Sequence, residues 1–187
     1  MTTPDELNVD LPEAPLECIS CRKPKAKTEC PLCFEPICKN CLQPVDSDAF
    51  QYMPDRPEDL SHARYCGFCL DATINPALEV YTEILERAKK ICLLTKAYKG
   101  HVSTLKKAKY SIEVKDCPDR EELIMKLAFM AAKEGYNALL QTDLVSQKIR
   151  NEAYQKSSWS GEAWPATIDA ERLDRDEARE EMYRRGK

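Results

Sequence analysis

Long apolar runs are missing from these 187 residues, and none approaches the ~18 that a membrane span requires. Glycine is scarce, at 5 residues, and none of it forms a phosphate-cradling loop. Histidine occurs only twice, and no nucleophile elbow or histidine-based catalytic arrangement is readable. With 4 phenylalanines and 2 tryptophans the chain can furnish one or two small cores, not a large enzyme scaffold. Basic residues are absent before Arg22, so neither a secretory nor a mitochondrial leader is read at the start, and a cytoplasmic location is expected. A net charge of −4 also argues against a bulk electrostatic hold on nucleic acid or anionic lipid.

What the chain has in excess is cysteine, 10 residues of it. Eight form four CxxC pairs, Cys18/Cys21, Cys30/Cys33, Cys38/Cys41 and Cys66/Cys69, with gaps of eight, four and twenty-four residues. In a reducing compartment such thiols are metal ligands rather than disulfides. Two intervening residues turn the backbone so that both sulfurs face one point, and two such knuckles complete a tetrahedral thiolate site with no position open to water. A lone CxxC also fits a redox motif, but four without an adjoining βαβ pattern predict two structural Zn²⁺ ions.

Adjacent pairing of the knuckles gives two sequential zinc ribbons, and alternating pairing gives a cross-brace. The short link Phe34-Glu35-Pro36-Ile37 favours the cross-brace, with Cys18, Cys21, Cys38 and Cys41 on one ion and Cys30, Cys33, Cys66 and Cys69 on the other. The spacing resembles that of FYVE fingers over about residues 15–71. Those fingers grip an inositide head group with a basic, histidine-bearing stretch just before the third knuckle. Phe34 to Ile37 contain an acid and no base, and the following loop holds Asp46, Asp48, Asp55, Glu58 and Asp59 against Arg56 and Arg64, so no membrane binding is expected. RING-type ubiquitin ligases share the cross-brace logic, although their usual Cys-His step is absent here.

The run Arg22-Lys23-Pro24-Lys25-Ala26-Lys27 lies between the first two knuckles. It can touch phosphate, but cations beside an anionic thiolate centre are expected as compensation whatever the protein binds. His62 reads as a loop residue, because eight cysteines already complete two sites.

Beyond the last knuckle the chain reads as helix, with Asn75-Pro76 as cap and first turn and Leu78, Tyr81, Ile84, Leu85 and Ala88 as its apolar stripe. Ile91 to Tyr98 fits either a helix extension or a strand. Tyr110 to Val114 alternates as a strand. A helix is expected from Asp119, through Leu123, Leu127, Met130 and Ala131, to a left-handed stop at Gly135. Tyr136 to Ile149 and Glu152 to Ala163 read as two strands backed by that helix. Asn137 is expected to bond its own neighbouring backbone.

The alanine-bearing helix, the Gly135-Tyr136-Asn137-Ala138 exit and the Gly161-Glu162-Ala163 ending resemble the YbjQ-type family of small α/β proteins over about residues 90–165. That resemblance favours a strand at Ile91 to Thr95, and it implies a ring-like homo-oligomer more firmly than any activity. The tail, residues 169–187, mixes seven acids with six bases, and its Glu180/Arg184 and Glu181/Arg185 pairs suit an exposed helix or a charged tail.

The expected fold is α+β: a disordered start (1–14), an irregular two-zinc module (15–71), a connecting helix (72–89), a small sheet backed by a helix (90–168) and the tail. The sheet domain is expected to bury a core without metal. No catalytic residues are assigned, since nothing in the sequence brings Cys92, Cys117 and His101 together as a nucleophile. The expected function is a non-enzymatic zinc-binding adaptor that contacts a protein partner. A nucleic-acid-binding zinc protein and a RING-like ligase are the alternatives.

Overall fold

The computed structural model describes residues 16–151, 154–173 and 175. The expected disordered start at 1–14 and the charged pairs of the tail lie outside them. Both helices and sheets are present, and the fold is α+β. The chain divides into two compact units. One comprises the described residues up to Ser47 together with Glu58–Asn75, and the other comprises Asp48–Pro57 together with the chain from Pro76 onward.

The first unit is built from two short antiparallel ladders. In one, β1 (Thr28–Glu29) pairs with β2 (Pro36–Ile37), and in the other β3 (Leu42–Pro44) pairs with β4 (Arg64–Cys66). Ile37, Tyr65 and Ile74 are its fully buried bulky side chains. The Tyr65 hydroxyl accepts from the His62 amide at 3.0 Å and donates to the Asp59 carbonyl at 2.8 Å, which closes the loop ahead of β4.

A single helical turn, α1 (Gly67–Cys69), leads through a π-turn (Leu70–Ile74) into α2 (Asn75–Ala88). Asn75-Pro76 opens α2 as expected, but Asn75 is not a non-helical cap. Asn75 is already helical at φ −61° and its amide donates to the Leu70 carbonyl. Proline within a helix lacks an amide and crowds the carbonyl one turn back, and a widened π-turn just ahead of it relieves that conflict. Downstream, the stripe falls as expected, with Tyr81, Ile84 and Ala88 buried.

The second unit centres on a five-stranded sheet. Its order is β5 (Cys92–Thr95), β8 (Ala138–Asn151), β9 (Tyr154–Ile168), β6 (Thr104–Lys107), and β7 (Ile112–Cys117) also pairs with β9. Only β5 and β8 are parallel. The ambiguous segment is therefore a strand. Helix α3 (Arg120–Lys133) packs on the sheet through Leu123, Leu127 and Ala131, all fully buried. Asp119 caps it by accepting from the Glu122 amide at 2.7 Å. At its other end Gly135 takes φ +82°, and the Gly135 and Tyr136 amides donate to Ala132 and Ala131, a Schellman closure.

Three further expectations are corrected here. The Asn137 side chain does not bond its neighbours. It donates to the Ile168 carbonyl at 3.0 Å and accepts from the Ile168 amide at 2.8 Å, acting as a strand partner where the backbone ladder ends. The last strand does not close at Ala163 but runs to Ile168, because Pro165 stands where the β6–β7 joint leaves the sheet. The tail does contribute apolar packing: Leu173 is buried with Leu94, Ala138, Ala166 and Ile168.

The loop 46–57 has neither helix nor strand, yet it is anchored. Phe50 is 1% exposed. Its ring lies 5.2 Å from that of Tyr81, which lies 5.1 Å from that of Phe129. The Tyr81 hydroxyl also accepts from the Tyr52 amide at 3.2 Å.

Candidate metal centres

The first two knuckles are built alike. Arg22 and Phe34, each following the second cysteine of its pair, take the left-handed conformation at φ 57° and 60°. That conformation lets the Arg22 amide donate to the Cys18 carbonyl at 2.8 Å and the Phe34 amide to the Cys30 carbonyl at 2.9 Å. In return, the Cys18 and Cys30 amides reach forward to the Lys23 and Glu35 carbonyls, both at 3.0 Å. Two non-glycine residues in this region carry a steric cost, about 1–2 kcal/mol each, which the paired backbone bonds offset.

The later knuckles differ from these and from each other. Cys38 and Cys41 sit on a tight turn closed by the Cys41 amide on the Cys38 carbonyl at 3.0 Å. Cys66 caps α1, its sulfur accepting from the Cys69 amide at 3.4 Å. Strand β2 leads straight from the second knuckle into the third, and β4 delivers Cys66 beside β3.

The result is two tetrads. Cys18, Cys21, Cys38 and Cys41 form one, and Cys30, Cys33, Cys66 and Cys69 form the other, with each set of sulfurs lying within 4.8 Å of one another. The pairing of knuckles is alternate, as in a cross-brace. A tetrahedral site with metal–sulfur bonds of about 2.3 Å has sulfur–sulfur edges of about 3.8 Å. The Cys21–Cys38 separation is 3.9 Å and the Cys33–Cys66 separation is 3.8 Å, so both donor sets fit an ion of zinc's size. His62 belongs to neither tetrad.

Charge is arranged alike in both. The Cys18 sulfur accepts from the Cys38 amide at 3.3 Å, and the Cys30 sulfur from the Cys66 amide at 3.5 Å. Hydrogen bonds from the Cys21 and Cys38 amides lower the Cys18 thiol to about 6. Burial opposes the same change at Cys30, but the Cys33, Cys66 and Leu32 amides bring it to about 6 as well. Sharing its proton with Cys38, and partial burial, push Cys41 up to about 12. Burial, followed by hydrogen bonding to Cys66, likewise raises Cys69. Four thiols so close cannot all ionise without a counter-charge, and a divalent cation supplies it.

The basic loop Arg22 to Lys27 is exposed apart from half-buried Ala26, and the Ala26 amide donates to the Leu16 carbonyl at 3.1 Å. Beside the second tetrad, Phe34 and Phe68 are 72% and 78% exposed. Nothing in the CxxC spacing marks these two rings; their exposure comes from the turns that carry them.

The remaining cysteines are not brought together. Cys92 pairs with Ala138 on β8, whereas Cys117 pairs with Trp159 far along β9. Burial pushes the Cys117 thiol up, away from a nucleophile's range. Among the described residues no helix is long and apolar enough to cross a membrane. No known family, curated protein or solved structure matches the chain.

Proposed function

We propose that the chain is a non-enzymatic adaptor whose first unit is held together by two zinc ions and contacts a protein partner. The observation that carries this reading is the pair of closed, all-thiol tetrads, which leave no ligand position for a substrate, beside two phenylalanines left in solvent. Zinc is the ion such a donor set favours in the absence of redox work, since four thiolates in a tetrahedron suit it and fill its coordination. Exposed aromatic side chains are the residues that most often anchor protein–protein contacts. The alternate pairing supports a FYVE- or RING-like cross-brace without the inositide-binding residues. The helix exit at Gly135 to Ala138 and the sheet it enters support a YbjQ-like second unit, which on that reading assembles copies of the chain in the cytoplasm.

Elemental analysis of the purified chain is expected to give two zinc ions per molecule. A partner captured from the native cell is expected to be lost with Phe34→Ser/Phe68→Ser while both ions are retained. Capture unaffected by that variant would remove the proposed contact surface. Discharge of ubiquitin from a conjugating enzyme would replace the adaptor by a ligase. Sedimentation showing a strict monomer would remove the assembly.

A further inference from the structure

Between Arg87 and Ile112 the chain carries eight lysines and arginines and no acidic residue. The fold lays this stretch along β5, a strap of residues 96–103, β6 and the joint to β7. Two of its cations are matched by carboxylates: Lys89 by Glu86 and Lys96 by Asp143, both at 2.6 Å. Among the described residues no carboxylate pairs with Lys99, Lys106, Lys107 or Lys109, and all four are exposed. The nearby Glu134 is engaged by the Tyr110 hydroxyl.

Strand β6 is an outer strand of the sheet, and all four of its residues are exposed. Successive strand residues point to opposite faces, and each lysine of the pair meets a ring. The Lys106 ammonium lies 5.3 Å from the centre of Tyr136, and that of Lys107 lies 4.8 Å from the centre of Trp164. Both rings are only half-buried. The edge therefore offers a line of unmatched positive charge with an aromatic ring on either side.

We propose that this edge binds a single-stranded nucleic acid, with Lys99, Lys106, Lys107 and Lys109 meeting phosphates and Trp164 and Tyr136 receiving bases. Charge complementarity selects a polyanion. The paired rings select one that carries flat groups, because base–ring stacking is stronger than an exposed cation–ring contact and replaces it without disturbing the phosphate. A bilayer fits less well, since the two lysines leave the strand in opposite directions and Leu105 is the strand's one apolar side chain that could insert. The net charge of −4 does not oppose this, because charges farther than about 8 Å are largely screened at physiological salt. The inference is independent of what the metal-bearing unit contacts.

The test is fluorescence anisotropy with labelled single-stranded RNA, both oligouridine and mixed sequence, on the intact, metal-loaded chain. Affinity is expected to fall with salt, with a slope of about −0.7 in log–log form for each phosphate engaged, hence about −3 for four. Lys106→Glu/Lys107→Glu/Lys109→Glu is expected to weaken binding at least tenfold and to flatten that slope. The neutral set Lys106→Gln/Lys107→Gln/Lys109→Gln, with circular dichroism and metal content unchanged, is expected to weaken it in the same direction. Lys23→Glu/Lys25→Glu/Lys27→Glu in the knuckle loop should leave it intact. The proposal is overturned by no saturable binding at low salt, by unchanged binding in both β6 variants, or by loss that follows the knuckle-loop variant instead. Equal or tighter binding to phosphatidylserine vesicles, or equal competition by oligoglutamate, would overturn it as well.

Discussion

At position 161 a methyl group has no room. A Cβ built there would stand 2.8 Å from Leu144 Cδ2, 3.1 Å from Leu123 Cδ2 and 3.2 Å from the Asp143 carbonyl. The last of these is β8 backbone and cannot rotate away, so β8 and helix α3 come this close only at a glycine. Gly161→Ala is expected to destabilise the fold by about 1–3 kcal/mol, measured as a lower urea midpoint with an unchanged slope. Asn137 makes its argument by hydrogen bonding. Asn137→Ala removes both side-chain bonds to Ile168 and leaves two backbone groups unpaired, at a cost of about 1–3 kcal/mol by the same measurement. Tyr110 sets a pH dependence. Its bond to Glu134 raises its ionisation to about 12, so the neutral phenol contributes stability that is whole below the ordinary value near 10 and is lost as the pH rises through about 12. An ultraviolet titration should show a late-ionising tyrosine that Tyr110→Phe removes; a titration identical in parent and variant would contradict the bond.

The knuckles act in alternate pairs, and metal stoichiometry distinguishes this from adjacent pairing. Serine at Cys18, Cys21, Cys38 and Cys41 removes one tetrad whole and should leave one ion per chain. Serine at Cys18, Cys21, Cys30 and Cys33 halves both tetrads and should leave none, whereas sequential ribbons would give the opposite pair of results. This element was legible because CxxC is covalent geometry at short range, and only the link at Phe34 to Ile37 had to be weighed. Helix α3 was legible for a similar reason, with a cap at Asp119, a stripe and a glycine stop written within seventeen residues. Strand β6 was not. Thr104-Leu105-Lys106-Lys107 is exposed on both faces and so carries no alternation to read. Pro165 disguised the end of β9, since proline ordinarily argues against a strand. Asn75-Pro76 marked the start of α2 but not the π-turn ahead of it, because a π-turn that accommodates proline leaves no mark in local composition. At Phe34 and Phe68 the spacing located the sulfurs and said nothing of the rings beside them.

The second unit is completed by a segment that the chain supplies before the fourth knuckle. Phe50, buried against Tyr81, belongs to Asp48–Pro57. Phe50→Ala in the intact chain is expected to cost the second unit about 3–5 kcal/mol, read as a drop in its thermal midpoint. A fragment beginning at Pro76 lacks both Phe50 and the Tyr52 amide, and should lose at least as much. A fragment as stable as the intact chain would show that the aromatic contact adds nothing. The same feature orders events in time when the chain is made from its N-terminus. The first tetrad is complete once Cys41 has emerged, whereas the second waits for Cys69. Phe50 waits longer still, roughly eighty residues, until Phe129 follows it out. At about 5–20 residues per second that interval is about 4–16 s, during which a large aromatic side chain has no finished pocket. The β3–β4 ladder, whose last residue Cys66 is made well before Phe129, pairs the chain on either side of the segment. The segment that carries Phe50 thus leaves the ribosome, bracketed in sequence by the metal-bearing unit, before the core it joins has been translated.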